Sequence, residues 1–493
     1  MQQGSKKKVL IISYLFPPIG GGGVQRALKM AKYLRDYGWE PHVLTVTEDV
    51  YFASKDFSLL DELPEGIYIH RAQQWDPLGK MQPVPSTKPA GTSTKQAAVV
   101  SGNQNQRNKN EVTQTTSWKR RIINTIKPIL KGIKNRVLIP DDQILWYKHA
   151  VEVGTSVVKE HNIQAIFSTS GPNTNHLVAL SIKNQTSIPW IADFRDPWTD
   201  NMHRSGIWWR EKLESILERK VVKNADCIMT VTESFLRGFE KKYRTLIQSG
   251  AVVHNGYDIS DYKQLPSDHL SSSEVTNPKN SVKDYPTKEI DRVESKKEKM
   301  KLAYTGIFYN KRNPRLLLRT LQELIHKGDI DANHIELHFA GIFDYPGQSA
   351  NWDAVVSAGL QNQVVLHGQL PHKKALSLLA NSDLLLLIAD TDENAGAYIP
   401  GKLFEYIAIG KPIFALSHQG ESADIISSLG NGVVINPTDL AAMKLSLVQM
   451  YQHWLKTGQA LTMPTDIFNR TKKYQRHEQA RMLAEKLDIL VEK

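Results

Sequence analysis

The sequence predicts an α/β protein of two doubly wound, Rossmann-like domains facing a central cleft. Three observations predict it. The chain opens as strand, glycine-rich turn and helix; short β-branched and aliphatic runs alternate with segments of helical length in two blocks; and a polar stretch of mixed charge separates the blocks. Length alone, at ~150 residues per domain, suggests about three domains for 493 residues. Two α/β units of ~200–250 residues would each bury a sizeable core.

Val9 to Ile12 reads as a strand buried on both faces. Pro17 and Pro18 end it, Gly20 to Gly23 follow, and Val24, Leu28, Ala31 and Leu34 recur at helical spacing until Gly38. The next strand is His42 to Val46, completing a βαβ unit. Further strands fit Ala165–Ser168, Trp190–Asp193, Cys227–Val231 and Val252–His254. The second block runs through Leu302–Thr305, Glu336–Ala340, Val364–His367, Leu384–Ile388, Pro412–Leu416 and Gly432–Ile435.

Two stretches interrupt this order. Residues 80–117 are rich in Gln, Asn, Thr, Ser, Lys and Pro, and read as a disordered insertion that cannot bury a core. Residues 264–300 are polar with mixed charge. The expected divisions are therefore a first domain over 1–260, a linker over 261–300, a second domain over 301–465 and a closing helical segment over 466–493. Residues 118–136 form the pattern of a basic amphipathic helix, with Ile122, Ile126 and Ile133 on one face. Such a helix suits an anionic membrane surface, or it packs into the domain as an ordinary surface helix kinked at Pro128.

The net charge of +11 is concentrated in this region: +4 in 80–117 and +7 in 118–136, leaving the rest formally neutral. A protein that coats nucleic acid spreads its charge over a larger face, so no nucleic-acid partner is expected. The single cysteine, Cys227, excludes a disulfide framework and a cysteine-based zinc site, and fits a reducing compartment. No apolar run approaches the ~18–20 residues of a membrane span. The opening KKKVLIISYLF imitates a signal peptide but runs into prolines and glycines without a cleavage pattern. The expected location is cytoplasmic, peripheral on the inner face of the cell membrane.

Two loops carry the chemistry. Gly21, Gly22 and Gly23, between strand and helix, make either a tight turn or a loop that lets a ligand approach backbone N–H groups. The sequence there is neither GxGxxG nor a Walker motif, and no acidic residue ends the second strand, which argues against a nicotinamide site. The second loop precedes PGKLFEYIAIGKPI, where Lys402 and Glu405 fall in the first turn of a helix below a strand's C-terminal edge. A carboxylate there can accept hydrogen bonds from ribose hydroxyls, and a lysine with free N–H groups suits a diphosphate. Asp390-Thr391-Asp392 has the form of a metal-binding DxD, but such pairs are common in polar loops, so no metal and no cofactor is expected.

In these segments the sequence resembles the family-4 type of retaining glycosyltransferases with the GT-B fold. PGKLFEYIAIGKPI resembles that family's donor helix, and Glu405 falls at the second glutamate of its E-x7-E motif, the one that binds the ribose. The first glutamate would be residue 397, here Ala397, and Glu393 is the nearby substitute. YTGIFYNKRNPRLLLRTL is similar to the family segment that gives an arginine and a lysine to the donor phosphates; Ile307 stands in the arginine's place and Arg312 in the lysine's, with Lys311 beside it. LHGQLPHKKALSLLANSDLLLL resembles the segment near the nucleotide base, and GGGGVQRALKMAKYL and IPWIADFRDPW fit the acceptor domain.

The resemblance implies that 1–260 binds the acceptor, that 301–465 binds the donor and that 466–493 crosses back to the first domain. It also implies transfer of a sugar from a nucleotide-sugar donor to a saccharide or lipid-linked saccharide, with retention, in surface polysaccharide or lipopolysaccharide synthesis. Positive charge on the leaving diphosphate supplies much of the catalysis, and Arg312 and Lys402 can provide it. His176, opening a helix after the strand at 165–168, is expected to face the cleft, where the resemblance implies a histidine near the sugar, or it is structural, as a lone histidine more often is. Asp196 can orient an acceptor hydroxyl or accept its proton, or it pairs with Arg195 or caps a helix. The rivals are a nucleotide-sugar epimerase of the same fold and a catalytically silent nucleotide-sugar-binding subunit.

Overall fold

The computed structural model describes residues 6–50, 55–75, 137–201, 205–262, 299–309, 311–390 and 396–492. The expectations for 80–117 and 118–136, and for most of the linker, lie outside the described residues. Seven strands make the first sheet: β1 Lys7–Ile12, β2 Trp39–Val46, β3 Tyr68–Ala72, β4 Ala165–Thr169, β5 Trp190–Phe194, β6 Cys227–Thr230 and β7 Gly250–Val252. All pairs are parallel, in the order β3-β2-β1-β4-β5-β6-β7. Six strands make the second: β8 Met300–Thr305, β9 Ile335–Ala340, β10 Val364–Gly368, β11 Leu384–Ile388, β12 Ile413–Leu416 and β13 Gly432–Ile435, parallel in the order β10-β9-β8-β11-β12-β13. Two sheets, each with its own core, replace the three domains that length alone suggests.

The first domain carries helices α1 Gly22–Leu34, α2 Tyr147–His161, α3 Thr174–Thr186, α4 Trp208–Asn224 and α5 Glu233–Tyr243. The second carries α6 Arg315–His326, α7 Ala350–Ser357, α8 His372–Ala380, α9 Gly401–Ile409, α10 Glu421–Leu429 and α11 Leu440–Thr457. Both faces of the second sheet are covered, which is why its central strand reads LLLLI without polar alternation. Leu384, Leu386 and Ile388 pack in the core that includes α6 and α11, whereas Leu385 and Leu387 pack with α9 and α10. Strand β3 escaped the sequence reading because it is an edge strand with mostly half-exposed side chains and no apolar run.

The chain passes between the domains twice, and the two passages lie side by side. The backbone of Tyr257 pairs with the returning chain, its N–H donating to Tyr474 O at 3.0 Å and its carbonyl accepting from Arg476 N–H at 2.8 Å, and its hydroxyl donates to Thr471 Oγ1 at 3.3 Å. That pairing splits the expected closing helix into α12 Ile467–Thr471 and α13 Arg476–Val491, with Gln475 extended between them. Helix α13 then packs on the first domain through Ala480, Leu483, Ala484 and Leu487. No helix among the described residues is long and apolar enough to cross a membrane.

Candidate functional site

Each sheet has one point where strand order reverses, between β1 and β4 in the first and between β8 and β11 in the second. Ligands of open α/β sheets bind outside the strand C-termini at that point. In the second domain the chain leaves β8 at Gly306, in a φ of +131° that favours glycine, and Gly341 lies so close that a Cβ there would stand 2.0 Å from Gly306 O. Lys402, in the first turn of α9, donates from Nζ to Thr305 O at 2.6 Å and lies 3.7 Å from the Tyr304 ring centroid. Arg312 donates to Asp390 Oδ2 at 3.0 Å, stacks over Tyr309, and keeps its buried Nε without a hydrogen-bond partner.

These cations act on one another. Burial first, and then the Arg312 charge, push the Lys402 amine down to about 7 against the opposing pull of Glu405. Burial pushes the Glu405 carboxyl up, while His372 and Lys402 pull it down. His372 opens α8, and its Nδ1 lies 4.0 Å from Glu405 Oε1. The site is thus two cations and a carboxylate in a partly dry notch, an arrangement that a diphosphate with an attached diol would satisfy.

The opposing edge of the first domain is wired differently. Arg26 of α1 and Asp193 of β5 are both buried and form a two-pronged ion pair, 2.7 Å on each side. Arg26 also donates to Val253 O at 2.9 Å, and Thr169 Oγ1 donates to Asp193 at 2.7 Å. Arg195 donates to the carbonyls of Ser170 and Gly171 and, at 2.7 Å, of Gly23. Gly21 caps α1 at a φ of +100°, Gly22 is exposed, and Arg195 fixes the turn they belong to. The sequence reading missed Arg26 and Asp193, because partners 167 residues apart leave no spacing signal.

The other expected residues fall as follows. Asp196 is exposed beside the cleft, while Arg195 holds the glycine turn rather than serving only as its neighbour's partner. Lys311 is exposed next to Arg312, and Ile307 is 42% exposed at the mouth of the notch. Glu393 lies outside the described residues. His176 departs from the expected placement. It has no exposed surface: its Nδ1 shares a 2.8 Å hydrogen bond with Ser168 Oγ, its ring lies 4.4 Å from that of Phe194, and burial pushes it down to about 3. Three residues into α3, it points into the sheet that the helix covers.

Between the domains lies a cavity of about 910 Å3. Pro197, Asp200 and Phe235 line one wall, and Ala397, Tyr398 and Gln419 the other. Arg312, Lys402 and Glu405 do not line it; the notch opens on the same edge of the second sheet. Three contacts bridge the domains beside this cavity among the described residues, one of them Arg237 of α5 pairing with Glu421 at 3.9 Å. Glu421 of α10 accepts from the Ser234 N–H at the start of α5, at 2.7 Å, and the Phe235 and Tyr398 rings meet edge to face.

Residues 299–453 match the model of the family described as glycosyl transferases group 1. No curated protein matches the chain by sequence. Among solved structures, a glycosyltransferase from Rickettsia africae aligns over 99% of both chains at 13% identity and a TM-score of 0.57. HepE (Alr3699) of Anabaena, solved with UDP and glucose, aligns over 98% of this chain and 99% of its own, at 14% identity and 0.55. A sucrose-phosphate synthase from Thermosynechococcus elongatus aligns over 98% and 99%, at 14% and 0.53. The two facing parallel-sheet domains have the GT-B arrangement. With a group 1 glycosyltransferase domain at residues 299–453, this protein is a glycosyltransferase.

Proposed function

We propose that the protein is of the family-4 retaining type and moves a sugar from a nucleotide-sugar donor to a saccharide or lipid-linked saccharide acceptor, in building a surface polysaccharide or lipopolysaccharide. The observation that carries this reading is the Arg312–Lys402 pair at the switch point of the second sheet, with Glu405 on the same helix turn as Lys402. As the sugar–phosphate bond breaks, negative charge grows on the leaving diphosphate. Arg312, with an unpartnered buried Nε, and Lys402, protonated once an anion arrives, stabilise that charge. Glu405 accepts from the ribose hydroxyls, and the group supplying the charge is the protein's own, so no metal is assigned to the step.

The cavity beside the notch takes the transferred sugar and the acceptor, with Asp196, next to its wall residue Pro197, orienting the acceptor hydroxyl. Ala397 lines that cavity in place of the glutamate the family carries there. Such a site accepts a sugar that makes no carboxylate contact at this position. We place the protein in the cytoplasm, with 118–136 docking on an anionic bilayer where a lipid-linked acceptor shares the surface. Residues 80–117 serve as the tether.

Thermal-shift screening of nucleotide sugars tests the donor: a ligand at 100 times its dissociation constant adds ~2.7 kcal/mol of stability. Product analysis with and without acceptor then tests the transfer. Free sugar released without acceptor points to the epimerase, and binding without any turnover to a silent subunit. A glycosylated acceptor with the donor's anomeric configuration is the expected product.

A further inference from the structure

The end of the first domain away from the cleft holds a cluster that the transfer chemistry does not use. His42 of β2, His70 of β3 and His161, the last residue of α2, bring one ring nitrogen each within 4.8 Å of the other two. His42 Nδ1 and His70 Nε2 are 3.0 Å apart. The second nitrogen of His42, Nε2, lies 3.1 Å from Glu40 Oε1, and Lys8 holds Glu40 at 3.4 Å. His42 is fully buried, whereas His70 and His161 are half-exposed and leave a path inward.

The second domain supplies an internal control. Glu336 and His338 of β9 repeat the Glu-x-His spacing of Glu40 and His42, and His367 of β10 stands where His70 does in the first domain. His338 Nδ1 and His367 Nε2 are again 3.0 Å apart, His338 Nε2 lies 3.3 Å from Glu336, and Lys299 pairs with Glu336 at 2.9 Å. A hydrogen-bonded Lys–Glu–His–His ladder across edge strands is therefore sufficient to explain two histidines. It does not explain a third. Among the described residues no further ligand joins His338 and His367, whereas the C-terminal end of α2 delivers His161 to the first ladder.

We infer that His42, His70 and His161 form a site for a divalent transition-metal ion of the zinc type, with three imidazole nitrogens and a water. Metal-bound imidazoles characteristically donate their second N–H to a carboxylate, which fixes the tautomer, and Glu40 stands ready to do this for His42. A tetrahedral ion with bonds of 2.0–2.1 Å places its ligand nitrogens ~3.3 Å apart, close to the His42–His70 separation, and rotation of half-exposed His161 supplies the third. The ion would tie the end of α2 to the two edge strands, a structural role independent of the donor site.

The test uses untagged full-length protein stripped with EDTA and titrated with Zn2+ by calorimetry, with Co2+ as a spectroscopic probe. The expected result is one tight Zn2+ per chain, a raised melting temperature, and a visible Co2+ band of the tetrahedral type. His161→Asn, on a half-exposed helix end, should fold normally by circular dichroism, lower Zn2+ affinity at least tenfold and lose the Co2+ band. Glu40→Gln should lower affinity ~10–100-fold. His338→Asn should change neither readout. No tight Zn2+ in the wild type, or equal affinity in the wild type and His161→Asn, overturns the site.

Discussion

Two lysines, one buried and one half-buried, show how differently the domains use charge. Lys29 of α1, in the first domain, is 1% exposed and pairs with Asp258 at 2.8 Å and with Glu62 and Asp261. Burial pushes its amine down, but the carboxylates outweigh burial and the net shift is upward. Lys402 of the second domain meets a carbonyl, an aromatic face and a second cation, and is pushed down to about 7. The first domain neutralises its buried charge within the fold, as Arg26 with Asp193 also shows. The second leaves positive charge short of a partner, as expected where an anion is to be bound.

The largest effect should come from breaking the neutralised edge. Arg26→Met strands Asp193 as a buried, unpaired carboxylate and should cost ~3–5 kcal/mol in denaturant unfolding. Lys402→Met, by contrast, removes a cation the fold does not neutralise, and its unfolding midpoint should be no lower than wild type. Equal losses in the two variants would erase the distinction between the edges.

Next in size is turnover. Arg312→Ala should lower kcat ~10²–10³-fold, with a smaller change in donor affinity, because its charge acts as the diphosphate leaves. Wild-type kcat in the purified variant would remove Arg312 from the step, and Lys311 would be tested in its place. EDTA should leave turnover unchanged. Glu405→Gln should then weaken nucleotide binding by ~1.5–3 kcal/mol, the worth of hydrogen bonds to a charged acceptor, with the melting temperature of the free protein preserved. An unchanged dissociation constant would move the ribose elsewhere.

What the sequence disclosed follows from how local each signal is. Strands buried on both faces, such as Leu384–Ile388, announce themselves as apolar runs, and Lys402 and Glu405 share a helix turn after a strand, so their grouping was readable. Edge strand Tyr68–Ala72 was not, because half-exposed residues carry no periodic contrast. His176 was placed correctly at a helix start but assigned the wrong direction, since a position in sequence does not say which face of a helix meets the sheet. The Arg26–Asp193 pair and the His42, His70 and His161 cluster join distant segments, which only the fold brings together.

The most direct measurement of the central claim, that the Arg312–Lys402 pair is a diphosphate site, is proton uptake on nucleotide binding. In the free protein Lys402, near 7, is mostly neutral at pH 8; a bound diphosphate favours its charged form and returns it toward the ordinary lysine range. Calorimetry with UDP at pH 8, in two buffers of different ionisation enthalpy, should therefore show uptake of close to one proton per nucleotide, and the dissociation constant should rise as pH increases above 7. Lys402→Met should abolish the uptake and weaken binding. Wild-type binding without proton uptake, or the same affinity and uptake in Lys402→Met, would contradict the account.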